Sequence, residues 1–291
     1  MVGHVFALAT AVAWASAVVL FKQSGEHYEA IGLNYLKSVV ALLLFALTLP
    51  FAGISFFPKV PVRDLLLMLG SGVLGIAISD TLFFRQLKLL GAGRAAIVDC
   101  LYSPFVVLAS MAWLGDRPSA REAGGGLLVV SAVLLTGVRQ NSLDVPARDL
   151  RRGIALGVLA MASTAVAIVV LKPILPRYPV LWTTSVRLVG GVLGLSAAAL
   201  FDPGSRGAFA ALAPQRAWRV ALPAAFLGNY LALALWVAGF RYGDTASAAI
   251  LNQTSTLFIV VLAAVFLRER FTAWHALATG LAFAGAAVVV W

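Results

Sequence analysis

The stretch "AAIVDCLYSPF" (residues 95–105) decides how the chain is organised, because it recurs as "AAILNQTSTLF" (residues 248–258) 153 positions later. The ungapped match continues to the last residue of the chain, with 10 identities in 44 positions. Asn252 stands in the second copy where Asp99 stands in the first. The chain therefore contains two copies of one unit, with different polar residues at matching positions.

The composition is that of a membrane protein. Of the 291 residues, 61% are hydrophobic and only 12% are charged, whereas soluble domains carry about 25% charged residues. Too few polar residues remain to cover a globule, so the sequence predicts an all-α integral membrane protein. Ten uncharged runs each approach the roughly 20 residues that a spanning helix needs. These runs are Val5–Phe21, Ser38–Pro58, Leu65–Ser79, Cys100–Gly115, Ala123–Val138, Gly153–Leu171, Leu188–Phe201, Val220–Phe240, Thr245–Leu267 and Ala276–Trp291.

The polar segment between the copies predicts the domain organisation. We expect a first five-helix repeat over residues 1–140, a polar linker over 141–152 and a second five-helix repeat over 153–291. Because five is odd, the second repeat enters the membrane from the opposite side. The sequence thus predicts ten transmembrane helices as two inverted five-helix repeats, an architecture of secondary transporters that bind substrate near the midplane.

Three motifs resemble the EamA-type branch of the drug/metabolite transporter superfamily. They are "QLKLLGAGRAAIV" (86–98), "LGDRPSAREAGGGLLVVSAVLL" (114–135) and "LRERFTAWHALATGLAFAGAAVV" (267–289). The resemblance covers both halves and implies a ten-helix exporter of amino acids or related metabolites. Asp116 and Glu269 occupy the same slot of the two turns, where they are either helix caps or parts of a gate.

Polar and aromatic residues deep in the apolar runs are candidates for substrate binding. Together they offer amide groups, hydroxyls and aromatic faces, a mixture that suits an amino acid or another amphipathic or aromatic compound. The predicted substrate-binding residues are Trp14, Asp99, Tyr102, Ser163, Thr164, Asn229, Tyr230, Asn252 and Gln253. An aspartate at a helix centre is costly and usually marks a pathway; the alternative for Asp99 is a structural carboxylate bonded to helix ends or to Tyr102.

Four charged residues near the apolar runs suggest further roles. Asp80 and Asp99 are candidates for proton coupling, although Asp80 could instead be solvated at the interface or paired with the nearby Arg85 or Lys88. Lys37 and Arg187 match a basic position of the family's second helix in each repeat. They could capture a substrate carboxylate, or they could snorkel to lipid headgroups.

Several function classes are excluded or less favoured. The chain has no H-E-x-x-H motif, no cysteine cluster and no Walker loop, so we expect neither a metal nor a cofactor. The net charge of +10 is spread over short loops and does not indicate nucleic-acid binding.

The prediction is a multi-pass transporter of the cell membrane, the inner membrane in a bacterium, whose partners are lipid, a small solute and protons if coupled. A monomer is consistent with the sequence. The alternatives are an uncoupled facilitator or channel and, less favoured, an intramembrane aspartyl protease using Asp80 and Asp99.

Overall fold

The computed structural model describes residues 2–117, 119–138, 145–201, 203–243, 245–269 and 273–290, and these residues form helices and short connections. The first half contains α1 (Val2–Ser24), α2 (Ala30–Phe51), α3 (Val62–Gly72), α4 (Asp80–Leu90), α5 (Ala92–Asp99), α6 (Tyr102–Leu114) and α7 (Ala120–Val138). The second half contains α8 (Ala147–Val169), α9 (Val180–Phe201), α10 (Trp218–Ala225), α11 (Leu233–Tyr242), α12 (Thr245–Asn252), α13 (Ser255–Phe266) and α14 (Ala273–Val290).

The predicted membrane spans are met in part. Within the described residues, seven helical segments are long and apolar enough to cross a bilayer. They are Val2–Ser24, Ala30–Phe51, Val62–Leu90, Ala92–Leu114, Ala147–Val169, Val180–Phe201 and Trp218–Tyr242. The other three predicted runs correspond to α7, to the interrupted pair α12–α13 and to α14. The fold is therefore all-helical with several spanning helices.

Two π-helical segments interrupt long helices at matching positions of the two halves. Val73–Ser79 joins α3 to α4, and Phe226–Ala232 joins α10 to α11. Their first residues and their last residues are both 153 positions apart, which is the offset of the sequence repeat. A π turn widens the helix locally and is often found at functional sites. The repeat is thus present in the local backbone as well as in the sequence.

Two further helices are broken at matching positions. The break between α5 and α6 follows Asp99, and the break between α12 and α13 follows Asn252. After the first break Pro104, in the first turn of α6, has no N–H to donate to the carbonyl of Cys100, four residues earlier. Gln253 Nε2 donates to that carbonyl across the two halves at 3.3 Å. The second break occurs without a proline, so the proline is not what both breaks share.

The two halves interlock through several helix pairs rather than meeting along one seam. The pairs that join them include α1 with α11 and α13, α3 with α9, α4 with α8, and α7 with α14. The backbones of α3 and α9 touch, because a Cβ on Gly72 would overlap the carbonyl of Arg187 and one on Gly190 would overlap that of Leu69. This close crossing fixes the position of the Arg187 backbone relative to α3.

Matching lysines bind the ends of matching helices. Lys22 Nζ donates to the carbonyl of Leu87 at 3.3 Å, and Lys172 Nζ donates to the carbonyls of Phe240 and Gly243 at 2.5 and 2.6 Å. The carbonyls at a helix C-terminus carry partial negative charge, so a lysine ammonium stabilises them. The two lysines therefore perform the same structural task in the two halves.

Candidate functional site

A cavity of about 150 Å³ lies where the π segments and the helix breaks converge with α1, α8 and α9. Nine of the twelve residues predicted from the sequence line it: Trp14, Asp80, Asp99, Tyr102, Thr164, Arg187, Asn229, Asn252 and Gln253. The irregular backbone of the π segments and breaks is placed beside this polar space. That placement fits the rule that irregular backbone within a membrane lines a cavity or is buried in protein.

Three predicted residues lie outside the cavity lining. Ser163 precedes the lining residue Thr164 on α8. The hydroxyl of Tyr230 shares a hydrogen bond with that of Thr48 at 2.7 Å, and its ring packs on Phe45 at a centroid distance of 4.7 Å. Lys37 stands behind the lining, where its side chain supports two residues that do face the cavity.

Lys37 forms the polar centre of this support. Its Nζ donates to Asp80 Oδ2 at 2.6 Å and to Asn229 Oδ1 at 2.8 Å, and the side chain is only 1% exposed. Snorkelling is therefore wrong for Lys37, and pairing with Arg85 or Lys88 is wrong for Asp80. The partner of Lys88 is Glu29, at 3.1 Å. Removing one member of a buried ion pair typically costs about 3–5 kcal/mol, so this contact holds α2, the α4 start and the second π segment together.

Arg187 is the second buried cation. Its Nε donates to the hydroxyl of Ser71 at 3.0 Å, and its Cζ lies 5.1 Å from the centroid of the Trp236 ring. The residue is 1% exposed, so snorkelling is wrong here too. Among the residues that the structure describes, no carboxylate lies within ion-pair distance of the guanidinium, and Nη1 has no hydrogen-bond partner.

Asp99 sits at the break of the first half. Its Oδ1 accepts a hydrogen bond from Gln86 Nε2 at 3.1 Å. The same Nε2 donates to the carbonyl of Ala95 at 3.1 Å, which ties the carboxylate to the first turn of its own helix. The alternative of a bond to Tyr102 is wrong, since the Tyr102 hydroxyl is buried without a partner. Asp99 has no cationic partner in the described part of the chain.

Aromatic rings supply the apolar walls. Trp14 packs on Phe83 with ring centroids 5.5 Å apart, and Tyr102 lies 6.3 Å from Trp236. Ile76, Met161 and Leu233 also belong to this apolar lining. The arrangement places aromatic faces next to amide and charged groups, which is the general composition of small-molecule sites.

Sequence reasoning missed several residues that line or support the site, among them Trp236, Ser71 and Gln86. Trp236 had a usable signal, because it stands inside an apolar run as Trp14 does, and it follows Asn229 by two helical turns. Ser71 lies on a stripe of small residues that indicates only close helix packing. Gln86 gave no signal, since its role depends on the fold-back of α5 against α4.

A helical membrane protein with two similar halves and a polar cavity between them has the architecture of a solute transporter. The chain belongs to the EamA-like transporter family, whose sequence pattern matches residues 1–138 and 151–291. It is therefore a multi-pass membrane transporter of small solutes in a lipid environment and not an enzyme, so the protease alternative is wrong.

A solved crystal structure supports the fold. It is similar to this chain with a TM-score of 0.74 at 18% sequence identity, over 98% of this chain and 95% of the other. At this identity the likeness concerns the fold alone. No curated protein matches the chain.

Proposed function

We propose that the protein is a secondary transporter that exports small organic metabolites, most directly amino acids or amphipathic aromatic compounds, by alternating access. Ten helices in two inverted five-helix repeats, residues 1–140 and 153–291 joined by the linker 141–152, would enclose the site. The observation that carries the proposal is the cavity itself: it lies between broken and π-helical segments that recur at one offset. Discontinuous helices at the repeat interface are where transporters of this architecture bind substrate.

A contact between the halves supplies a gate for this mechanism. The Glu269 carboxylate accepts hydrogen bonds from the backbone N–H of Ala92 (2.7 Å) and Gly93 (2.8 Å). It thereby attaches the turn after α13 to the start of α5, where the positive end of the helix dipole favours an anion. Arg268, at φ +55°, gives this turn a left-handed residue just before Glu269.

The matching turn of the first half does not make the corresponding contact. Gly115 has φ +74° and corresponds to Arg268, while Asp116 corresponds to Glu269. Asp116 is exposed, and its carboxylate forms no ion pair within the part of the chain that the structure describes. In the second state of an inverted repeat the two halves exchange conformations, so Asp116 would bind the start of α12 while Glu269 is released.

The charged residues of the cavity give the transporter two routes to energy coupling. Asp99 faces the cavity without a cation, whereas Asp80 is already held by Lys37. Asp99 is therefore the better candidate to carry a proton or to bind a substrate ammonium group. Asp80 would act only if its contact with Lys37 changed during transport.

Counterflow in proteoliposomes tests the proposal. Vesicles preloaded with unlabelled amino acids should accumulate the labelled compound, and Asp99→Asn should reduce that accumulation about tenfold or more, as expected for loss of one charged hydrogen bond. Asp149→Asn, in the first turn of α8 and away from the cavity, is the matched control and should behave as wild type. A variant that still exchanges but ignores a pH gradient would make Asp99 the proton site. Uptake without counterflow would favour the channel or facilitator instead, and equal counterflow in both variants would remove Asp99 from the pathway.

A further inference from the structure

Charge is unevenly distributed around the cavity. Lys37 and Arg187 lie at the end formed by α2, α9 and the first π segment, and Asp80 is the carboxylate beside them. The Asp80 carboxylate already accepts a hydrogen bond from Lys37 at 2.6 Å. Its negative charge is therefore balanced by Lys37, and the charge of Arg187 is additional. Two cations thus share one carboxylate at this end. The second carboxylate of the cavity, Asp99, is bonded to Gln86, and the charge that acts on Arg187 is that of Asp80. In a medium of low dielectric constant the local excess of positive charge beside Arg187 favours an additional anion there.

Hydrogen bonding around the cavity is incomplete. Arg187 Nη1, the Tyr102 hydroxyl and both amide atoms of Asn252 are buried and have no partner, and each exposes less than 1 Å². All three residues line the cavity and are at least nine-tenths buried. Buried polar atoms in native proteins are nearly always paired, so four unpaired atoms around one cavity indicate a ligand that pairs with them.

The guanidinium of Arg187 is held in one orientation by its neighbours. Ser71 accepts from Nε and in turn donates to the carbonyl of Ala167 at 2.6 Å. Trp236 covers one face of the guanidinium plane, and a Cβ on Gly75 would lie 3.3 Å from Nη2. An arginine oriented in this way is pre-organised for a carboxylate, because the planar fork matches carboxylate geometry and little rotamer entropy is lost on binding.

Lys37 is less suited to the same task. Its ammonium group already donates to Asp80 and Asn229, and it stands behind the lining residues. A substrate anion at Lys37 would have to displace one of these two contacts. Arg187 requires no such exchange, because Nη1 is unpaired.

We infer that the cavity binds a small organic carboxylate with an apolar body, and that Arg187 Nη1 and the Tyr102 hydroxyl are the groups that hold its carboxylate. This inference rests on the proposed function and names the substrate class of the same site. The apolar body lies against Trp14, Phe83 and Trp236, which form the walls. A cavity of about 150 Å³ is of the size that admits one benzene ring.

Calorimetric titration of the purified protein in detergent tests the inference with three probes of similar shape: benzoate, benzamide and benzylamine. Benzoate should bind, and benzamide should bind at least about tenfold more weakly, because a charge-assisted hydrogen bond is lost. Benzylamine can pair only with Asp99, so its affinity should not depend on the Tyr102 hydroxyl. Tyr102→Phe keeps the ring and removes a buried hydroxyl that has no hydrogen bond of normal geometry, so the fold is kept, and benzoate should bind about tenfold more weakly. Arg187→Gln should abolish binding, and Arg63→Gln, an exposed arginine on α3, should leave it unchanged.

The outcomes separate this inference from the proposed function. Equal binding of benzamide and benzoate, unchanged binding in Tyr102→Phe, or no saturable benzoate binding would each overturn the inference. If amino-acid counterflow is present but benzoate neither binds nor competes, the transporter stands and its substrate is not held through Arg187. If benzoate binds as expected and no counterflow occurs with any probe, the proposed transport fails while the carboxylate site stands.

Discussion

Asn34 and Asn252 are buried asparagines in opposite hydrogen-bonding states. Asn34 Nδ2 donates to the carbonyl of Ile76 at 2.7 Å and to the hydroxyl of Thr81 at 2.9 Å, whereas neither amide atom of Asn252 has a partner. An unpaired buried polar group costs about 1–3 kcal/mol. We therefore expect Asn252→Leu to raise the free energy of unfolding of the ligand-free protein by about 1 kcal/mol, and Asn34→Leu to lower it by at least as much.

Thermal and chemical unfolding of both variants in one detergent would check this contrast. The matched substitution at Asn34 controls for the effect of placing a leucine in the interior. If Asn252→Leu is as destabilising as Asn34→Leu, then Asn252 has a partner in the ligand-free protein, and its amide atoms no longer indicate a missing ligand.

At the residue scale the sequence predicted which polar residues lie within apolar helices, but it did not predict which side chains of different helices contact each other. Asp99 and Asn252 could be found because a polar residue in an apolar run has few reasons to be there. The ion pair of Lys37 with Asp80 could not be found, because it joins α2 to α4 and no local spacing relates the two residues. The free Nη1 of Arg187 likewise follows only from the positions of Ser71 and Trp236.

The crossing of α3 and α9 is the element on which the Arg187 position depends. Gly72 of α3 abuts the carbonyl of Arg187, and Gly190 of α9 abuts that of Leu69. Gly70, two residues before Gly72 on α3, has open space where a Cβ would stand. We expect Gly72→Ala to force the helices apart and lower the free energy of unfolding by about 2 kcal/mol, in the range of core overpacking.

Gly70→Ala is the control for helix propensity, and it should be neutral or stabilising by up to about 1 kcal/mol. Unfolding in detergent reports both variants, and benzoate affinity should fall in Gly72→Ala because the guanidinium moves with α9. Equal stability of the two alanine variants would mean that α3 and α9 can separate without loss, and the position of the Arg187 backbone relative to α3 would no longer be fixed.

At the element scale the repeat was predictable and the backbone irregularities were not. The offset of 153 residues was visible in the sequence, where it aligns Gly75 of the first half with Gly228 of the second. The π segments Val73–Ser79 and Phe226–Ala232 have no local signal, because "VLGIAIS" and "FLGNYLA" are ordinary apolar helix sequences. Their widened turns depend on tertiary packing, such as the bond from the Ser79 hydroxyl to the carbonyl of Ala160 at 2.7 Å.

For the whole molecule, the asymmetry between Glu269 and Asp116 predicts opposite effects of two equivalent substitutions. Glu269 joins the halves at one end, and Asp116 is exposed at the matching turn of the first half. If the two turns alternate, Glu269→Ala destabilises the present conformation, whereas Asp116→Ala destabilises only the other one. Loss of one or two charged hydrogen bonds should change the ratio of the two conformations about tenfold.

Spin labels on Arg85→Cys of α4 and Val265→Cys of α13, both exposed, would measure the distance across the Glu269 contact in a Cys100→Ala background. Glu269→Ala should increase the population of molecules with the longer spin–spin distance in lipid nanodiscs. Asp116→Ala should increase the population with the shorter distance. Opposite shifts are what two inverted repeats require, because each carboxylate then stabilises a different state. Shifts in the same direction, or none in Glu269→Ala, would make the Glu269 contact a fixed helix cap and leave the proposed gate without its moving part.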